Sequence, residues 1–141
     1  MKSPRILILD DDSSVGELLG EMISMLGYRP TSCEDPNLAL GIIERQSFDA
    51  IISDFRMPGL DGREFYRQLQ TRNPALARRI IFLTGDPHAE EIRTFLDATG
   101  NSCLAKPFRL SAIESLLADT LLREESDRKS TRLNSSHRIR T

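Results

Sequence analysis

Ile51-Ile52-Ser53-Asp54-Phe55-Arg56-Met57-Pro58-Gly59-Leu60-Asp61-Gly62 is the stretch that decides the architecture. An apolar run ends on a carboxylate and passes at once into a loop that Pro58, Gly59 and Gly62 force to turn. A buried strand of a parallel sheet delivers one polar group to its carboxyl edge in this way, and open α/β sheets place their ligands at that edge. Asp54 is therefore the candidate reactive group.

Outward from this stretch the chain alternates buried strands with amphipathic helices. Arg5 to Asp10 is an apolar run ending in Asp10, Asp11 and Asp12. Ser13 or Ser14 caps a helix whose Val15, Leu18, Leu19, Met22, Ile23 and Leu26 recur at helical spacing until Gly27 closes it. Tyr28 to Cys33 is a weaker strand whose Pro30 places it near a sheet edge. A second helix spans about Pro36 to Arg45, with Leu38, Ala39, Ile42 and Ile43 inward and Pro36 in its first turn. Phe48 to Asp54 is the third strand, and Gly62 to about Arg72 the third helix, stopped near Asn73-Pro74. Arg79 to Thr84, a helix from about His88 to Ala98, Ser102 to Ala105, and a helix from Leu110 to about Leu122 complete the series. Five strands and five helices predict an α/β fold, a doubly wound five-stranded parallel sheet covered on both faces. The flavodoxin-like order 2-1-3-4-5, one of two common solutions, is the expected one.

The 141 residues suit one domain, with 39% hydrophobic and 28% charged residues, ordinary values for a globular protein. No apolar run approaches the ~18 residues of a membrane span. Met1-Lys2-Ser3-Pro4 leads into a strand rather than a signal sequence, so a cytoplasmic protein is expected. Cys33 and Cys103 lack metal-type spacing and read as reduced and buried. The expected domain is residues 1–124, followed by a non-native or disordered tail, 125–141. Within that tail, residues 127–137 resemble the translation of a DNA-sequencing adapter and are set aside from fold reasoning. Of the 19 Lys and Arg and 21 Asp and Glu, residues 1–126 hold 14 and 20, a net charge of −6. That acidic balance argues against direct nucleic-acid binding by the domain.

In a parallel sheet every strand delivers its end to the same edge, here Asp10-Asp11, Asp54, Thr84 and, just past the fifth strand, Lys106. Three carboxylates that close repel one another unless a cation joins them. An all-oxygen set with room for water suits Mg²⁺. Lys106 adds a point charge and Thr84 a hydroxyl donor, both useful to a phosphoryl group on Asp54.

The Asp10-Asp11 pair, Asp54-x-x-Met57-Pro58-x-x-Asp61-Gly62, Thr84 and Lys106-Pro107-Phe108 resemble the receiver domain of two-component response regulators, over roughly Arg5 to Leu122. The resemblance implies that Asp54 accepts a phosphoryl group from a phosphohistidine on a sensor histidine kinase or a histidine phosphotransfer protein. It implies Mg²⁺ bound directly by Asp11 and Asp54, through water by Asp10, and by the backbone carbonyl of Arg56. Thr84 and Lys106 would attend the phosphoryl group, the Lys106–Pro107 peptide would be cis, and Thr84 would swing toward the new oxygens. Such a domain is a phosphoacceptor that assists its own phosphorylation and dephosphorylation, not an enzyme in the ordinary sense. Homodimers through the helix of 88–98, the fifth strand and the last helix are common in that family.

Two features depart from the pattern. Cys103 stands where many receivers carry a switch aromatic, so the usual threonine–aromatic coupling is not expected. The stretches Leu83–Pro87 and Thr99–Phe108 look more like receivers attached to hybrid sensor histidine kinases. Arg56 is expected to pair with Asp86 or with the phosphoryl oxygens and so to hinder the hydrolytic water. Rival readings are a haloacid-dehalogenase-like phosphatase with Asp10 as nucleophile, since Asp10-x-Asp12-x-Ser14 imitates its opening motif, and an unphosphorylated receiver-like scaffold.

Overall fold

The computed structural model describes residues 3–129 and 139–140, with side chains from residue 3 to 122. Strands β1 (Arg5–Leu9), β2 (Arg29–Cys33), β3 (Ala50–Asp54), β4 (Ile80–Thr84) and β5 (Ser102–Ala105) lie in the order β2-β1-β3-β4-β5. All pair in parallel, with Leu9 beside Ser53, Asp54 beside Leu83 and Thr84 beside Ala105. A two-residue strand β6 (Ile139–Arg140) lies parallel to β5 at the edge. The expected doubly wound, flavodoxin-like sheet is the observed one.

The strand period of two divides the core between the faces. Leu7, Leu9, Ile51, Ile80, Phe82 and Cys103 point to one face. There they meet α2 (Pro36–Arg45), α3 (Gly62–Arg72) and α5 (Glu90–Thr99) through Leu40, Phe65, Leu69, Ile92 and Leu96. Ile6, Ile8, Ile52, Ile81, Leu83 and Leu104 point to the other and meet α1 (Ser13–Met25) and α6 (Leu110–Lys129). On the first face four rings pack edge to face. Phe95 lies 5.4 Å from Phe55, 5.2 Å from Phe82 and 5.5 Å from Tyr66 between centroids. Such pairs add to what burial alone contributes.

Several local expectations change. Asp12, not Ser13 or Ser14, caps α1, its carboxylate accepting from Ser14 N–H at 2.9 Å. Leu18 is 47% exposed and Leu38 63% exposed, although both were expected inward. The seam of α1 runs along Gly16, Leu19 and Ile23, and one residue of helix is ~100° of rotation, which carries Leu18 off it. Among the described residues there are six helices rather than five, because α4 (Pro74–Ala77) inserts one turn before β4. Asn73 ends α3 and caps α4, and Pro74 occupies the first turn, where its missing N–H costs nothing. Asn101 then fixes this turn to the sheet, its buried amide donating to Ala77 O at 2.9 Å and Ile80 O at 2.8 Å. The last helix continues past Leu122 to Lys129, since nothing after Leu122 breaks it until well into the charged run. The adapter-like segment 127–137 lies mostly outside the described residues.

Candidate functional site

The carboxyl edge of the sheet gathers the expected groups. Asp54 ends β3 and Thr84 ends β4, while Asp10 and Lys106 stand one residue beyond β1 and β5. Asp10, Asp11 and Asp54 each offer a carboxylate oxygen within 4.8 Å of the others. Lys106 Nζ lies 3.6 Å from Asp54 Oδ2. Lys106 N–H donates to Thr84 O at 2.8 Å, which ties the β5 end to the β4 end. The Lys106–Pro107 peptide is cis, as the resemblance implied.

Burial sets the electrostatics of the cluster. Asp10 is 2% exposed and Asp54 9% exposed, whereas Asp11 faces solvent. Asp54 is held above the ordinary carboxylate range by its burial and, to a smaller degree, by Asp11. The Lys106 ammonium and the Arg56 N–H oppose that rise. Asp10 is raised mainly by burial as well, with the Asp12 N–H pulling it down and Asp54 pushing it up. The Asp12 N–H donates to Asp10 Oδ1 at 2.9 Å, and Asp10 Oδ2 is buried with no hydrogen-bond partner among the described residues. A buried carboxylate oxygen without a donor, beside two further carboxylates, is what a cation would satisfy. The all-oxygen donor set fits a hard divalent ion.

The loop after Asp54 is held from both sides. Phe55 N–H donates to Leu83 O at 3.0 Å, and Gly62 N–H donates back to Phe55 O at 2.8 Å. Asp61 caps α3, accepting from Glu64 N–H at 3.0 Å. A Cβ on Gly62 would stand 3.1 Å from the Phe55 Cα, ring and carbonyl oxygen. Two of these atoms are backbone, so little can yield. Gly62→Ala is expected to cost about 1–3 kcal/mol, the range for overpacking, read as a lowered urea midpoint. An unchanged midpoint would show that the loop moves freely.

Thr84 is buried at 4% exposure, and its Oγ1 accepts from Asp86 N–H at 3.0 Å. At Gly85 an added Cβ would meet no atom within 4 Å, so the space beside the site is open. Arg56 does not pair with Asp86. Its guanidinium forms an ion pair with Glu91 in the first turn of α5, because the arginine leaves the loop toward that helix. Nothing in the sequence singled out Glu91, whose only signal was a place in an acidic first turn. Cys103 is fully buried, and burial pushes its thiol up to about 12, so it packs and does not react.

Comparison with known proteins agrees with this arrangement. The response regulator MprA of Mycolicibacterium vanbaalenii is 40% identical over 114 residues, which are 81% of this chain and 47% of that protein. The sensor histidine kinase RcsC of Escherichia coli is 33% identical over 126 residues, 89% of this chain and 13% of that protein. The chain thus spans less than half the length of either relative. A solved receiver domain of the sensor histidine kinase PA1611 from Pseudomonas aeruginosa PAO1, with a magnesium ion coordinated in its active site cleft, is 32% identical. It aligns with a TM-score of 0.74, covering 84% of this chain and 98% of that one. Residues 6–118 match the response regulator receiver domain, and the chain belongs to that family.

Proposed function

We propose that the chain is the phosphoacceptor of a two-component phosphorelay, taking a phosphoryl group on Asp54 from the phosphohistidine of a sensor kinase or phosphotransfer protein in the cytoplasm. The observation that carries this reading is the meeting of Asp54 with Lys106 and two further carboxylates at one sheet edge. An Asp54 carboxylate oxygen attacks phosphorus while the donor's N–P bond breaks. The electron pair stays on the imidazole nitrogen, which takes up a proton. Asp11 and Asp54, with the Arg56 carbonyl, would hold Mg²⁺ directly, and Asp10 would hold it through water. When bound there, Mg²⁺ supplies positive charge that lets an anionic nucleophile and an anionic phosphoryl group approach.

Lys106 supplies a second, fixed positive charge on the Asp54 side of the site, where charge on the phosphoryl oxygens needs an opposite partner. Thr84 has one hydroxyl proton to give, and its oxygen is already used as an acceptor by Asp86 N–H. It therefore bonds a phosphoryl oxygen by turning its hydroxyl, and the β4–α5 loop follows. Phosphorylation shifts a population rather than building a new fold, and a partner reads that shift. The chain accepts one group per event and does not turn over a substrate.

The deciding experiment incubates the protein with Mg²⁺ and a small phosphodonor, then maps the added mass by peptide. Mass on Asp54 is expected. Mass on Asp10 would instead favour a phosphatase-type nucleophile on β1, and no mass would favour an unphosphorylated scaffold.

A further inference from the structure

The two residues that follow Asp54 both reach α5, and they do so one turn apart. Phe55 points inward and packs edge to face on Phe95 at 5.4 Å. Arg56 points outward and pairs with Glu91. Residues 91 and 95 are four apart and so share one face of the helix. At its other end Arg56 bears on Asp54 as well, since its backbone N–H is one of the groups that draw the Asp54 pKa down. A single residue therefore stands between that carboxylate and the first turn of α5.

We infer that Glu91 is a positioning residue, which holds the Arg56 guanidinium on α5 and away from Asp54 until a phosphoryl group competes for it. The inference rests on the reading of Asp54 as the phosphoacceptor. The Arg56–Glu91 pair is open to solvent, with side-chain exposures of 64% and 44%, so it contributes little to folding. Its weight lies in where it leaves the arginine. A phosphoryl group on Asp54 carries more charge than Glu91 and offers oxygens in the geometry that a guanidinium fork matches. Arg56 then divides its time between the two anions. While it covers the phosphoryl group, it obstructs the water whose oxygen must attack phosphorus to release phosphate and restore the Asp54 carboxylate. While it sits on Glu91, that approach is open. Phe95 stays seated on Phe55 throughout, so the exchange loosens the start of α5 and not its body. This route needs no aromatic at position 103, where the chain has a buried cysteine.

The test follows the decay of phospho-Asp54 in four proteins: the parent, Glu91→Gln, Arg56→Ala, and the double variant. Glu91→Gln removes the competitor and keeps a helix-forming side chain, and its melting temperature should equal the parent's. It is expected to lengthen the phospho-Asp54 half-life about two- to fivefold, the rate equivalent of one exposed ion pair. Arg56→Ala should shorten the half-life. In the Arg56→Ala background the Glu91→Gln change should have no effect, because the interaction it acts through is gone. A half-life in Glu91→Gln equal to or shorter than the parent's would overturn the inference. So would a lengthening that persists without Arg56, since Glu91 would then act by another path. Failure of the parent to take up any phosphoryl group would instead overturn the phosphoacceptor reading itself, and the inference with it.

Discussion

A protein carrying Asp54→Asn is expected to gain no phosphoryl mass from a small phosphodonor and Mg²⁺, under conditions in which the parent gains one group. The expectation rests on how unlike the three clustered carboxylates are. Asp10 has one oxygen held by the Asp12 N–H, is 2% exposed, and presents no free edge to an incoming donor. Asp11 is exposed, and no ion pair joins it to a lysine among the described residues. Asp54 alone has an ammonium within 3.6 Å and an open approach beside Gly85. Asparagine keeps the shape of the side chain and removes the nucleophilic charge, so loss of uptake would not reflect loss of fold. Lys106→Ala should retain uptake at a rate lower by about two orders of magnitude, the usual cost of one preorganised charge-stabilising group. Uptake by Asp54→Asn at the parent's rate would remove Asp54 from the mechanism.

Asp10→Asn is expected to melt above the parent in the presence of chelator, and to lose most of the parent's rise in melting temperature on adding Mg²⁺. Asp10 Oδ2 is a buried carboxylate oxygen with no donor. An unsatisfied buried group of this kind costs about 2 kcal/mol, or roughly 5 °C in a domain of this size. An amide at that position would donate to the neighbouring carboxylates while its oxygen still accepted from the Asp12 N–H. The pH dependence has a definite sign. Asp10 and Asp54 both have folded pKa values raised above 3.8, so the folded state holds these protons more tightly than the unfolded state. Without metal, stability therefore falls as pH rises from about 3.8 through the raised folded values, and is level above them with respect to these groups. Asp10→Asn should flatten that fall. Melts across an acidic pH series, with chelator and then with Mg²⁺, measure both effects. A variant that melts at or below the parent in chelator would show that Asp10 is already satisfied.

The gathering of these side chains was legible in the sequence because a parallel sheet brings its strand ends to one edge whatever the order of its strands. Asp10, Asp54, Thr84 and Lys106 needed only the strand boundaries to be placed together. Arg56 and Glu91 were not legible as a pair, because which exposed acid a long arginine meets depends on the rotation and tilt of α5. The cap of α1 was open to error for a related reason. Three successive aspartates precede Ser13, and only the backbone angles show that Asp12 is the residue outside the helix. Leu18 and Leu38 were misplaced because the apolar stripe of a helix is wider than the seam it buries. The turn at Pro74–Ala77 was hidden because Asn73-Pro74 reads as a stop, although the same pair also starts a helix.

The ring cluster around Phe95 also gives the molecule an optical signal of its own. The chain has no tryptophan and two tyrosines. Tyr66 stands edge-on to Phe95 at 5.5 Å, half-buried on α3, while Tyr28 packs against the opposite core. Tyrosine emission therefore samples the two faces of the sheet with one fluorophore each. Tyr28→Phe leaves Tyr66 as the sole emitter, so movement of α5 against the sheet can be followed by light, without a dye.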